Sequence, residues 1–239
     1  MFMLQLHSVS KRFGAIVVAD GIDLALAPGE ALGVIGPNGA GKSTLFNLIT
    51  GMLRPDAGRV MLDGADITAL PPEARCRAGI GRSFQIPQPF DHLSVYENLA
   101  VAALFGGNLS EAEAVQHCGT TLALTGLEGR ANRLAGSLPL LDRKRLELAR
   151  ALATRPRLLL LDEIAGGLTE GECRELVATI RGIHAQGVGI VWIEHVVHAL
   201  LAVVGRLMVL DFGRVVAEGD PATVMRSREV QTIYMGVPA

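Results

Sequence analysis

Gly36-Pro37-Asn38-Gly39-Ala40-Gly41-Lys42-Ser43-Thr44 fits the pattern G-x-x-x-x-G-K-[ST], the phosphate-binding loop of nucleoside triphosphatases. Before it, Ala31-Leu32-Gly33-Val34-Ile35 reads as a short buried strand. After it, Thr44-Leu45-Phe46-Asn47-Leu48-Ile49 reads as the start of a helix. A strand, a glycine loop and a helix N-terminus together make an anion site, because backbone N–H groups and the helix dipole converge on the ligand. In that setting Lys42 is expected to reach the β- and γ-phosphates, and Ser43 to place its hydroxyl on Mg²⁺. A glycine-rich turn that ends in Lys-Ser by chance would not need both flanking elements.

A second stretch belongs to the same chemistry. Leu158-Leu159-Leu160-Leu161 reads as a fully buried strand, and Asp162-Glu163 follows it directly. A magnesium-dependent triphosphatase needs a carboxylate at such a strand end to hold the ion, directly or through water, and Asp162 is placed for that. Glu163, one residue on, is placed to orient or deprotonate an attacking water. An acidic turn after a strand is common, but beside a phosphate loop it gains a purpose.

The composition narrows the rest. The chain has 239 residues, 49% of them hydrophobic, so one large domain with a sizeable core is possible. Lys and Arg number 22 against 24 Asp and Glu, a net charge of −2. That balance argues against a nucleic-acid binder driven by phosphate neutralisation. Cys76, Cys118 and Cys173 are far apart and form no C-x-x-C pair, so reduced thiols are expected rather than a disulfide framework or a metal knuckle. Met1 to Ser10 lacks the pattern of a secretory signal. Val196 to Leu210 is broken by His198, Gly205 and Arg206 and falls short of the ~20 apolar residues of a membrane span. The expectation is a protein that is soluble, or peripheral to a membrane through a partner.

Along the chain, Leu4–Val9, Ile22–Leu26, Ala31–Ile35, Arg59–Leu62 and Gly79–Phe84 read as strands, with Pro28-Gly29 a turn. Val95–Leu104, Glu111–Leu124, Arg143–Thr154 and Gly171–Gln186 read as helices, and Gly189–Ile193 as another buried strand. Strands alternating with helices predict a parallel sheet with helices on its faces. Strand signals are scarce from about 86 to 150, which suggests a helical subdomain inserted into an α/β core. Asp211-Phe212-Gly213 spells a kinase tripeptide with no H-R-D loop before it, and reads better as a hairpin turn between Leu207–Leu210 and Val215–Ala217. His195 and His198 stand as His-x-x-His without the H-E-x-x-H zinc pattern.

With both motifs in place the chain resembles the ATP-binding subunit of an ABC transporter over nearly its whole length. The resemblance implies one ABC ATP-binding domain spanning residues 1–239. Its expected architecture is an α/β P-loop NTPase core of ABC ATPase type with an antiparallel β subdomain and an inserted helical subdomain at about 86–150. It also implies ATP and Mg²⁺ as cofactors, with the whole loop from Gly36 and Pro37 through Asn38, Gly39, Ala40 and Gly41 to Lys42, Ser43 and Thr44 around the phosphates. Further stations match by position. Phe13, in Lys11-Arg12-Phe13-Gly14, stands where the family stacks an aromatic on adenine. Gln85, after Ser83-Phe84, stands at the Q-loop, which touches Mg²⁺ and the attacking water and relays to membrane subunits. His195 stands at the switch histidine near the γ-phosphate, and Gly167-Leu168-Thr169 at the D-loop of the dimer interface. The implied catalytic set is therefore Glu163, His195 and Lys42, and the implied metal set Ser43, Gln85 and Asp162.

Within the family, Ser83-Phe84-Gln85, Leu93-Ser94-Val95-Tyr96-Glu97-Asn98-Leu99 and the tail Ile233-Tyr234-Met235-Gly236 resemble the subunit of branched-chain amino-acid importers. That implies a second, similar ATPase, two membrane permeases, a solute-binding protein acting indirectly, and a place on the cytoplasmic face of the membrane. Urea or amide importers and lipopolysaccharide exporters have similar ATPases. A soluble ABC ATPase of DNA repair or translation would carry long insertions or a tandem copy. A small P-loop kinase would need an acceptor lid and would phosphorylate an acceptor instead of releasing phosphate.

One station departs from the family. The signature, usually close to Leu-Ser-Gly-Gly-Gln, here reads Leu138-Pro139-Leu140-Leu141-Asp142. Pro139 has neither a hydroxyl nor a backbone N–H, and two leucines hinder close backbone approach to a phosphate. Since one subunit's signature completes the other's ATP site in this family, either an asymmetric pair or a tolerated variant is implied. Ile164 and Glu170, where prolines or an aspartate are usual, are smaller departures near the D-loop.

Overall fold

The computed structural model describes residues 2–235. Gly236, part of the tail used for the importer resemblance, lies outside them. The chain divides into two compact units, one formed by the residues up to Arg75 with those from Val191 onward, the other by Cys76–Ile190.

The first unit opens with β1 (Leu4–Phe13), β2 (Ile16–Leu26), β3 (Ala31–Ile35), α1 (Lys42–Thr50), β4 (Ala57–Leu62), β5 (Ala65–Asp66) and the start of α2 (Pro72–Arg77). Strands β2, β1, β4 and β5 form a four-stranded sheet in that order, and every neighbouring pair is antiparallel. This is the antiparallel component expected above. β1 and β2 run well past their expected ends, to Phe13 and from Ile16. The extension carries exposed Ile16 and Val17. Its outer end is held by main-chain pairing, Phe13 opposite Ile16, whereas Ala19 further along is buried. β3 is buried at all five positions, as a strand covered on both faces must be.

α1 begins at Lys42, two residues earlier than expected, because Gly41 takes the left-handed backbone at its N-cap. At its other end Gly51 is also left-handed. The carbonyls there are met by Arg75, which is 1% exposed. Its guanidinium donates to Leu48 O at 2.7 Å, Ile49 O at 2.9 Å, Thr68 O at 2.9 Å and Leu70 O at 3.0 Å. Burial lowers the pKa of Arg75, and the charge of Asp66 opposes that.

The second unit contains β6 (Ile80–Arg82), α3 (Val95–Val101), α4 (Glu111–Thr125), α5 (Leu140–Ala153), β7 (Leu158–Asp162), α6 (Glu170–His184) and the start of β8 (Gly189–Ile193). β6 and β7 pair in parallel, Ile80 opposite Leu158. The expected helix Val95–Leu104 is α-helical only to Val101, and Ala102–Gly106 closes it as a π turn. α4, α5 and α6 have Ser110, Pro139 and Thr169 at their N-caps. Ser110 and Thr169 are capping-box residues, whereas Pro139 offers no side-chain cap. α5 starts three residues before its expected start, with Pro139 in an extended conformation at its N-cap. One apolar cluster joins the helices, among them Val95, Leu99, Cys118, Leu122, Leu146 and Ala149.

After β8 the first unit resumes with α7 (Val197–Leu201), β9 (Arg206–Asp211), β10 (Arg214–Gly219), α8 (Pro221–Arg226) and α9 (Arg228–Met235). β3 runs parallel to β9, Leu32 opposite Arg206. β9 and β10 form the expected hairpin, and Phe212-Gly213 is its turn. Among the described residues no helix is long and apolar enough to cross a membrane.

Candidate functional site

In the first unit the phosphate-loop sequence lies between β3 and α1, as its residues require. A Cβ on Gly36 would stand 2.2 Å from Leu210 O, and one on Gly41 2.5 Å from Val18 O. Both positions therefore need glycine for close backbone approach. The loop is braced by the β9–β10 turn, where Gly213 N donates to Ala40 O at 2.9 Å and Asp20 N donates to Gly213 O at 2.8 Å. No side chain caps α1 and no acid lies in its first turn. Its first N–H groups thus point at whatever occupies the loop, and the helix dipole favours an anion there.

Lys42 is nearly buried, 6% exposed. Its Nζ donates to Gly36 O at 2.7 Å and Pro37 O at 2.9 Å. Those carbonyls belong to the loop itself, so the ammonium sits at the mouth of the anion cradle. Ser43 is exposed and Thr44 half-buried. Phe13 ends β1 with 51% of its surface exposed and Lys11 Nζ 5.6 Å from its ring centre. Such an open ring is free to stack on a flat partner. His195 follows β8 and is exposed. Its backbone N–H and that of Val196 donate to the carboxylate of buried Glu194, at 2.9 and 3.3 Å.

In the second unit Asp162 ends β7 and is buried. Its Oδ2 takes a hydrogen bond from Arg82 Nη2 at 2.8 Å, and its N–H reaches Ser83 Oγ at 3.4 Å. Glu163 has a positive φ of 45°. This uncommon backbone for a glutamate turns the chain sharply just past the strand. Its carboxylate accepts from Gln85 Nε2 at 2.5 Å. Gln85 and Glu163, 78 residues apart, are thus brought together. Gly167 has a positive φ of 79°, and a Cβ there would touch Leu140.

Sequence reasoning missed several charged partners. Arg82 is one, and Arg75 under α1 is another. Three more lie on α5. Lys144 Nζ donates to Gln85 O at 2.7 Å and to Glu163 O at 3.5 Å. Glu147 Oε1 accepts from Phe84 N at 3.2 Å. Arg150 Nη1 donates to Gln88 O at 2.8 Å. Burial pushes the Glu147 carboxyl above the ordinary carboxylate value, against the pull of Arg150. The only visible signal was charge recurring along α5 at positions that also had to face inward.

At the α5 entrance the departures noted in the sequence have a shape. Leu140 is 45% exposed and Leu141 half-buried. Asp142 is buried and held by Arg130 Nε at 2.8 Å. An acid in the first turn already answers the dipole of α5.

The donor chemistry fits a hard cation. Within the first unit Ser43 offers a hydroxyl, and within the second Asp162 offers a carboxylate; each by itself is an oxygen donor of the kind Mg²⁺ takes. Among the described residues no cluster of three His, Cys, Asp or Glu could hold a metal by itself.

Comparison with known proteins bears on the whole chain. Residues 19–166 match the family model described as ABC transporter. The high-affinity branched-chain amino acid transport ATP-binding protein LivG of Escherichia coli (strain K12) is 35% identical, with 98% of each chain covered. The lipopolysaccharide export system ATP-binding protein LptB of Acidithiobacillus ferridurans is also 35% identical, covering 98% of this chain and 97% of its own. Among solved structures, an ATP-binding cassette of an ABC transporter in its ADP conformation has a TM-score of 0.90 at 32% identity, with 99% of this chain and all of that one covered. A nucleotide-free cassette from an ABC transporter gives the same TM-score at 31% identity, covering 99% of this chain and 100% of that one.

Proposed function

The chain belongs to the ABC transporter family and is an ATPase of that family; from this membership we propose that it is the subunit that powers uptake of branched-chain or other hydrophobic amino acids. One observation carries the catalytic part. Every charged group that the motifs single out is already oriented by a named protein partner: Lys42 by the loop carbonyls, Asp162 by Arg82, Glu163 by Gln85.

In this reading the loop Gly36–Thr44 holds the triphosphate, its N–H groups and Lys42 facing the β- and γ-phosphates. Phe13 stacks on the adenine. Ser43, Asp162 and Gln85 would hold Mg²⁺, which when bound neutralises charge on the phosphates. Glu163 takes up the proton of the attacking water or orients it, and His195 meets the charge that develops on the γ-phosphate. Two ATP-binding subunits would close over their nucleotides and act with two permease subunits on the cytoplasmic face of the membrane. A solute-binding protein would present the cargo.

The α5 entrance supports an asymmetric pair of ATPases. Pro139, the two leucines and Asp142 make a poor phosphate-binding start, so a second, different ATPase would carry the competent signature. Residues 1–239 would form one ATP-binding domain, its helical subdomain near 86–150.

Glu163→Gln tests the catalytic part. It should retain ATP binding and lose phosphate release by about a hundredfold or more; near-normal turnover refutes the role. Uptake of labelled leucine, isoleucine and valine by a host lacking this chain tests the cargo. Undiminished uptake refutes the importer reading. The equal identity to the LptB relative favours one other reading, lipopolysaccharide export, whose mark would be lost outer-leaflet lipopolysaccharide with uptake intact.

A further inference from the structure

Residues 83–90 have no regular secondary structure, and two of them, Pro87 and Pro89, lack an N–H. Main-chain groups in such a segment need other partners. Here charged side chains from α5 supply them, spaced three residues apart. Lys144 meets Gln85 O, Glu147 meets Phe84 N, and Arg150 meets Gln88 O while lying 5.3 Å over the ring of Phe90. The spacing puts the three on successive turns of one helix face. The segment thus turns its backbone toward α5 and shows the side chains of Phe84, Ile86 and Phe90 to the outside.

Of the three, Lys144 is the one that reaches both Gln85 and Glu163. It is only 5% exposed. A buried ammonium needs hydrogen-bond acceptors, since desolvation otherwise penalises it heavily. Among the acceptors it takes are the main-chain carbonyls of Gln85, at 2.7 Å, and Glu163, at 3.5 Å. Those are the two residues whose side chains bond to each other. One ammonium therefore holds both backbones from which the amide–carboxylate pair projects.

We propose that Lys144 is a positioning residue for hydrolysis: it sets the geometry of the Gln85–Glu163 pair from α5. The proposal rests on the reading of Glu163 and Gln85 given above. Without the ammonium, the irregular segment loses the contact nearest Gln85, and the amide drifts from the carboxylate. Small misplacements of this kind act on the chemical step more than on ground-state binding.

The test is steady-state phosphate release under MgATP by the transporter assembled with this chain and its partner ATPase, in a cycle of wild type, Lys144→Met, Gln85→Ala and the double variant. Lys144→Met should lower kcat on the order of tenfold or more and leave KM for MgATP within about twofold. In the Gln85→Ala background the same substitution should cost less than about twofold, because the pair it positions is already gone. If Lys144→Met melts early, Lys144→Gln, which keeps a donor for one carbonyl, takes its place in the cycle. A wild-type kcat for the Lys144 variant overturns the proposal. So does a full, additive loss in the Gln85→Ala background, which would mark a purely structural lysine. Glu163→Gln separates the two levels. If that variant turns over normally, the underlying reading fails. If it is dead while Lys144→Met is normal, only the positioning role fails.

Discussion

Arg75→Met is the sharpest test of how the phosphate-loop helix is held. α1 ends at Thr50, and the last carbonyls of any helix lack intrahelical partners. Asn47 O is met by Leu53 N at 3.0 Å. Leu48 O and Ile49 O are met by one guanidinium nitrogen, in residues with no exposed surface. Methionine keeps the bulk of the stem and removes all four N–H···O bonds. At least two buried carbonyls are then left without the guanidinium, at about 1–3 kcal/mol each, and relief of the buried charge returns part of that. A net loss of about 3 kcal/mol follows, or a melting point lower by about 6–12 °C for a chain of this size. Arg75→Lys should fall between, because an ammonium cannot span four acceptors as the planar fork does. Thermal unfolding followed by circular dichroism reads both. A methionine variant melting within about 3 °C of wild type would refute the reasoning, because the α1 end would then be satisfied without Arg75.

Phe13→Ala should raise KM for MgATP about three- to tenfold with little change in melting point, since a half-exposed ring contributes stacking and not core; Phe13→Trp should keep the affinity, and an unchanged KM in the alanine variant removes the ring from the nucleotide site. Pro139→Ser with Leu141→Gly should raise the ATPase rate of the assembled transporter severalfold, and an unchanged rate overturns the asymmetric reading of the α5 entrance. Glu172 closes the capping box of α6, and hydrogen bonds from the Thr169 hydroxyl and then its N–H hold its carboxyl below the ordinary value of 4.5. A lowered carboxyl adds stability above its unfolded value that is lost as pH falls through the folded one. Glu172→Gln should therefore flatten the loss of stability on acidification below about pH 4.5, seen in urea unfolding at a series of pH values, and an unaltered slope refutes the cap's contribution.

The parts legible in the sequence are those where a residue acts on its near neighbours. The loop Gly36–Thr44, the buried strands β3, β7 and β8, the hairpin turn at Phe212-Gly213 and the long helix α4 all announce themselves within a dozen residues. The ends of β1 and β2 did not, because exposed Ile16 and Val17 hold their places by main-chain pairing. The π turn after α3 was invisible for a similar reason, since it changes which carbonyl an N–H meets and leaves the apolar pattern intact. Arg75 and Lys144 look like ordinary solvated charges on helix faces. Their partners are carbonyls, which every residue carries, so no sequence pattern marks them. Gln85 and Glu163 were each picked out singly, but their hydrogen bond spans 78 positions and follows only from the fold.

That contact, with the others around the motif residues, says something about how a nucleotide would enter. A buried charge without a partner is costly, so a site of this kind cannot wait with bare charges. Here each has a local substitute. Gly36 O and Pro37 O engage Lys42, Arg82 engages Asp162, and Gln85 engages Glu163. Binding is then an exchange of hydrogen bonds for hydrogen bonds, and its net strength depends on what the ligand offers beyond the substitutes. Two neutral carbonyls are weak competitors for an ammonium, whereas a terminal phosphate brings full charge. A ligand lacking that phosphate leaves Lys42 closer to its carbonyls. The arginine on Asp162 is a stronger competitor, and only a divalent cation offers that carboxylate more. If these residues bind nucleotide as proposed, Lys42 within the first unit and Asp162 within the second would each favour a ligand that offers more than the protein partner it displaces.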